Sequence, residues 1–70
     1  MTRIELINDI KTLGFVSYEH AAMLAIKGKA VKTGRESYSW TDNALNGMTI
    51  PDLEMLRKQI VQSPNRYKPN

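Results

Sequence analysis

Apolar residues recur at helical spacing near the N-terminus of the chain. The positions that share one broad side of this helix are Ile4, Leu6, Ile7, Ile10 and Leu13. Gly14 follows directly and is typical of a helix end. The pattern therefore predicts a short amphipathic helix over residues 2–13.

A second helix is predicted by the alanine-rich segment after this break. Ser17 suits an N-cap, and Glu19 lies in the first turn, where the helix dipole favours a negative charge. The run Ala21–Ile26 has high helix propensity, and Gly28 ends it. We expect a helix over residues 17–27 that lies against the core or against a neighbouring subunit, because small side chains allow close approach.

Residues 29–40 have the pattern of short strands. Thr33-Gly34 is a turn signal between the stretches 29–31 and 36–40, and Tyr38 and Trp40 alternate with serines in the second stretch. A small β-hairpin is the preferred interpretation. An irregular loop that packs its aromatic residues is the alternative, because an isolated two-stranded hairpin is marginally stable.

The C-terminal half begins with turn chemistry, at residues 41–43 and again at Asn46-Gly47. A helix over residues 50–62 follows, because Thr49, Pro51 and Asp52 together form a helix-start signal of the capping-box kind. Its apolar stripe is Leu53, Leu56 and Ile60, widened by Met55 and Val61, with a favourable Glu54–Lys58 pair on the outer side.

These elements predict a mostly helical α+β fold with two to three short helices, a small β-hairpin and an extended C-terminal tail. Residues 1–62 form a single small domain, and residues 63–70, with two prolines and two asparagines, form a tail that is extended or disordered by itself. A chain of this length buries only about 60 to 65% of its unfolded surface. It has no cysteine to add a disulfide. Completion of the fold by other chains is therefore a hypothesis from the start.

Charge and hydropathy exclude some classes of protein. Ten Lys/Arg against seven Asp/Glu give a net charge of +3, a mild excess that scattered surface charge explains. No apolar run approaches the roughly 20 residues of a membrane span, and the N-terminus lacks the apolar core of a signal peptide. We expect no membrane partner and a protein that stays in the compartment where it is made.

The residues that could support catalysis are few. His20 is the single histidine, so it has no partner histidine for a metal site, and its neighbourhood lacks a nucleophile pattern. The glycines are too widely spaced to cradle a phosphate. The sequence predicts a protein that is not an enzyme and takes no metal, cofactor or small-molecule substrate.

One stretch concentrates positive charge, with four cations in nine residues. This basic row consists of Lys27, Lys29, Lys32 and Arg35. It is either a phosphate-binding ridge with Tyr38 and Trp40 as a stacking platform, or a set of cations that solvate the hairpin edge. In the second interpretation, Tyr38 and Trp40 pack on the core with their polar tips in water.

The tail carries the second candidate site, at Arg66, Tyr67 and Lys68. A charged, proline-containing end is usually frayed. An aromatic residue flanked by two cations is also typical of a docking arm that becomes ordered on a partner and uses Tyr67 as its anchor. Both interpretations remain open at this stage.

The order of parts resembles a known family. Gly28-Lys29 ends an alanine-rich helix, Gly34-Arg35 and Ser37–Trp40 form a turn and strand, and Met48-Thr49 precedes the helix segment Asp52–Ile60. In residues 21–61 the chain resembles phage head–tail joining, or head-completion, proteins of the lambda gpW type. The helix over residues 2–13 and the loop over 41–47 depart from that family.

The resemblance implies an α+β fold in which copies form a ring under the portal, seal packaged DNA and dock the next connector or tail component. It implies that residues 63–70 are an arm that docks on a neighbour, and that the protein is made in the host cytoplasm and resides in the virion. The basic row would face a neighbouring subunit or the packaged DNA. The rival hypotheses are a small basic nucleic-acid-binding regulator and a small inhibitor of a host protein.

Overall fold

The computed structural model describes residues 1–68 and, over that range, contains four helices and one two-stranded antiparallel sheet. The elements are α1 (Arg3–Leu13), α2 (Tyr18–Ile26), β1 (Ala30–Gly34), β2 (Ser37–Trp40), α3 (Asp42–Asn46) and α4 (Ile50–Gln62). The predicted α+β class is confirmed. The helix count exceeds the expected two to three because a short helix forms where only turns were predicted.

All four helices begin in the same way. The residue before each helix is Ser or Thr, and its side-chain oxygen accepts a hydrogen bond from the backbone amide three residues further on. These N-caps are Thr2, Ser17, Thr41 and Thr49. Thr2 and Glu5 complete a reciprocal capping box, and hydrogen bonds from Thr2 lower the pKa of Glu5 below its usual value. Local sequence therefore fixes where each helix starts.

Helix α3 corrects the prediction of turns over residues 41–47. Thr41 caps the segment, and Leu45 is fully buried, so tertiary packing adds to the local start signal. Gly47 ends the helix, with its amide bonded to the carbonyl of Asn43. Polar residues of this kind favour turns in isolation. Here they form a short helix because Leu45 packs into the core.

The hairpin is confirmed, and its turn lies later than expected. Strands β1 and β2 pair in antiparallel register from Ala30 opposite Trp40 to Gly34 opposite Ser37. Arg35 and Glu36 form the turn, two residues beyond the predicted Thr33-Gly34. An irregularity in the register between Lys32 and Gly34 absorbs the difference in strand length.

The core joins two halves of the domain. Helix α1 packs against α4, and α2 packs against the hairpin. The six largest fully buried side chains are Leu6, Ile10, Phe15, Leu45, Leu53 and Ile60. Phe15, in the connection between α1 and α2, stacks its ring on Trp40 with a centroid distance of 4.7 Å.

The apolar faces of α1 and α4 are narrower than the sequence pattern suggested. Ile4 is 72% exposed, Met55 62% and Val61 50%, whereas Leu53, Leu56 and Ile60 form the buried stripe of α4. Because these two helices pack mainly on each other, each covers only one line of side chains on its partner.

Charge pairing also differs from the expectation. The ion pairs within residues 1–68 are Lys11–Asp42 and Arg57–Asp9, which link different elements, and Glu54–Lys58 is not among them. Glu54 and Lys58 are both exposed, and water solvates each of them at little energetic disadvantage.

The cap of α4 gives a direct test of this local control. Thr49→Ala removes the oxygen that accepts from the Asp52 amide, so the free energy of unfolding should fall by about 1 kcal/mol in urea denaturation. Thr49→Asp keeps an accepting oxygen and serves as the matched control, with stability close to that of the original chain. Equal losses in both variants would contradict a capping role.

Candidate interaction surfaces

The basic row is exposed along its whole length. Lys27 is the C-cap of α2, Lys29 precedes β1, Lys32 lies in β1 and Arg35 in the hairpin turn. None of these cations forms an ion pair with another residue in the range 1–68. Lys29 and Arg35 flank β1, which at about 3.3 Å per residue spans more than about 10 Å. The row therefore offers a line of positive charge, open to an anionic partner, rather than a single anion site.

Tyr38 and Trp40 do not form a platform for bases. Each is only 8% exposed, and the Trp40 ring is stacked on Phe15 in the core. The Trp40 indole N–H donates to the carbonyl oxygen of Gly14 at 2.7 Å, so its polar tip is bonded in the interior and not in water. The stacking-platform interpretation is therefore wrong for these two residues, because their faces are already covered by the domain.

The C-terminal tail is attached to the domain through Tyr67. Its backbone pairs with Phe15 in both directions, at 2.8 and 2.9 Å, as an isolated antiparallel bridge. The Tyr67 ring also contacts Phe15, Tyr18 and Tyr38, and its hydroxyl donates to the carbonyl of Glu36. In the same cluster, a hydrogen bond with Tyr38 and partial desolvation raise the pKa of Tyr18.

This attachment changes how the tail prediction is interpreted. Tyr67 already anchors the tail within its own chain, so it is not free to serve as an anchor on another chain in this conformation. Arg66 and Lys68, on either side of it, are exposed. The prediction that this segment docks on a partner therefore now concerns only Arg66 and Lys68. Residues 69–70 lie outside the described range.

Two surfaces with exposed apolar side chains were not singled out from the sequence. The first, here called the α1–α4 groove, has a volume of about 340 Å³ and is lined by Met1, Leu6, Glu54, Arg57, Lys58, Val61 and Gln62. The second, here called the α2 face, carries Met23 and Ile26, which are 53% and 88% exposed and lie three positions apart. The signal for the α2 face was available, because Ala21–Ile26 is apolar at every position, and a helix that packs on one hairpin leaves the other side of such a run open.

A smaller cavity lies between α2 and α4. It has a volume of about 250 Å³ and is lined by His20, Leu24, Lys29, Trp40, Ala44, Met48, Leu56 and Gln59. Nδ1 of His20 is buried and makes no hydrogen bond within the described residues. Over those same residues no group of three or more His, Cys, Asp or Glu side chains is placed to hold a metal ion. Nor does any helix in residues 1–68 have the length and apolar character of a membrane span.

Comparisons with protein families, curated proteins and solved structures find no match to this chain. The likeness to head–tail joining proteins therefore depends on the short motifs of residues 21–61 alone.

Because Tyr67 attaches the tail to the domain, substitution of Tyr67 should lower the stability of the domain more than substitution of its neighbour Arg66. Tyr67→Ala removes a ring that touches three other aromatic rings, so the free energy of unfolding should fall by about 2 kcal/mol in urea denaturation. Arg66→Ala, at the adjacent exposed position, is the control and should change stability by less than about 0.5 kcal/mol. Similar values for the two variants would mean that the tail does not stabilise the domain.

Proposed function

We propose that this chain is a non-enzymatic structural adaptor of the phage head–tail connector, or head-completion, type. In this proposal copies assemble as a ring on the portal and dock the next connector or tail component. The observation that carries the proposal is the presence of exposed apolar side chains on both halves of the domain, in the α1–α4 groove and on the α2 face.

An adaptor in a ring needs two different contact surfaces, because each copy touches one neighbour on each side. The α1–α4 half offers Met1 and Val61, and the α2–hairpin half offers Met23 and Ile26. Each surface is small, so a single contact would be weak. A closed ring multiplies such contacts through effective concentration, which suits a domain with so few buried side chains.

The exposed charges fit the same role. The basic row follows the hairpin and is suited to an acidic neighbour or to packaged DNA. Arg66 and Lys68 extend from a tail that Tyr67 fixes to the domain, so their position relative to the fold is defined before any partner binds. A preset position lowers the entropic cost of docking.

Reconstitution tests the proposal. The purified chain, mixed with the portal from the genome that encodes it, should form a stoichiometric complex in native mass spectrometry. Ile26→Asp should abolish the complex, because it places a charge on the α2 face, while Asn43→Asp adds the same charge at an exposed position of α3 and should have no effect. The original chain failing to associate with the portal under any ionic condition would refute the proposal.

One observation supports a second candidate, a small nucleic-acid-binding regulator. All four cations of the basic row are exposed and lack ion-pair partners in residues 1–68. Arginine and lysine in that state are available to phosphates. The burial of Tyr38 and Trp40 removes the stacking contribution from this candidate, which leaves phosphate contacts as its basis.

Salt dependence tests this second candidate. Binding to a mixed-sequence duplex should weaken as salt rises, with a slope of about −0.9 per phosphate contacted. Lys32→Gln combined with Arg35→Gln should flatten that slope, whereas Lys58→Gln, an exposed cation on α4, should leave it unchanged. If no duplex is bound even at low salt, a nucleic-acid role is excluded.

A further inference from the structure

The cavity between α2 and α4 combines apolar walls with one buried polar atom that has no partner in residues 1–68 and one exposed cation. Leu24, Trp40 and Leu56 are all less than 10% exposed and supply hydrocarbon surface. Because the Trp40 N–H is bonded to Gly14, this indole presents no free donor to an occupant. An apolar group that enters the cavity can therefore pack on Trp40 without leaving an indole N–H unsatisfied.

The lining holds one buried polar atom without a partner in residues 1–68 and one exposed cation. Nδ1 of His20 is buried without a hydrogen bond, and Lys29 forms no ion pair within residues 1–68. A buried polar atom without a partner disfavours the folded state by about 1–3 kcal/mol. No acidic residue is present in the lining, so the cavity favours an occupant that brings negative charge.

The size of the cavity decides what kind of occupant fits. Pockets for small-molecule ligands have volumes of about 300–1,000 Å³, and this one has about 250 Å³. That volume suits one large side chain, the usual form of an anchor at a protein interface. The α1–α4 groove is larger, at about 340 Å³, but Glu54, Arg57 and Lys58 line it with both signs of charge, and Arg57 is paired with Asp9. Of these two sites, only the smaller cavity is lined by a lysine with no carboxylate beside it.

We propose that this cavity is the anchor site for a partner protein segment in which a large apolar side chain is followed by an acidic residue. The apolar side chain occupies the cavity against Trp40 and Leu56, and the carboxylate pairs with Lys29 at its edge. This inference builds on the proposed adaptor role by naming the chemistry of the docked segment.

Trp40 provides the measurement, because it is the single tryptophan of the chain and lines the cavity. The probes are three capped tetrapeptides, Gly-Phe-Asp-Gly, Gly-Phe-Asn-Gly and Gly-Ala-Asp-Gly, none of which contains tryptophan. The first should change the Trp40 emission in a saturable way, the second should bind about two- to fivefold more weakly, and the third should give no saturable change. High salt should remove the difference between the first two.

Substitutions locate the site. Lys29→Gln should lower affinity for the acidic phenylalanine peptide about two- to fivefold and leave affinity for the amide peptide unchanged. Lys32→Gln makes the same charge change outside the cavity lining and should have no effect. Ala44→Leu, which fills the cavity from α3, should abolish binding, with its fold checked by circular dichroism.

Three results would overturn the inference. These are no saturable emission change with the acidic phenylalanine peptide, equal affinity for the acidic and amide peptides at low salt, and equal effects of Lys29→Gln and Lys32→Gln. Reconstitution with the portal separates the failure of the anchor site from the failure of the adaptor role. A complex that forms normally with the Ala44→Leu variant would refute the anchor site and leave the adaptor role intact, while absence of any complex would refute the adaptor role whatever the peptides do.

Discussion

Phe15 is the residue on which the rest of this structure depends. Its ring stacks on Trp40 of the hairpin, and its backbone exchanges two hydrogen bonds with Tyr67 of the tail. The neighbouring carbonyl of Gly14 accepts from the Trp40 indole. A short connection between two helices thus joins the N-terminal helix, the sheet and the C-terminal segment. In a chain without a disulfide, this cluster of aromatic contacts and buried hydrogen bonds performs the joining role that a covalent link has in other small domains.

The local part of the fold could be predicted because its causes are local. Thr49 and Pro51 start α4, and Gly14 ends α1, where it adopts a positive φ that other residues rarely take. What sequence reasoning missed depends on long-range packing. The turn composition after Thr41 gave no indication that Leu45 would be fully buried and hold a helical turn. The helical spacing of Ile4 likewise did not indicate that α1 would pack against only one helix and leave this side chain exposed to water.

The candidate sites show the same division. Exposure of the basic row was expected from its composition, since Lys and Arg are seldom buried. The environment of Trp40 and Tyr67 was not predictable, because an aromatic residue between polar neighbours is compatible with a surface platform, a docking anchor or a core position. For Tyr67, the structure distinguishes these alternatives: its backbone pairs with that of Phe15, far away in sequence, and this contact holds the tail on its own domain. The cavity at His20 and Lys29 is likewise lined by α2, β2, α3, α4 and two of the connections between elements, so no single window of sequence contains it.

The arrangement of layers explains why so much apolar surface remains open. Helix α4 packs mainly on α1, and α2 packs on the hairpin, so each helix has one covered side and one uncovered side. Covering both sides would require a further layer of secondary structure, and residues 1–68 contain no other helix or strand to form one. Side chains such as Ile26, at 88% exposure, then remain in water unless another chain covers them. Burial of that surface in an assembly would supply free energy that the isolated domain does not gain.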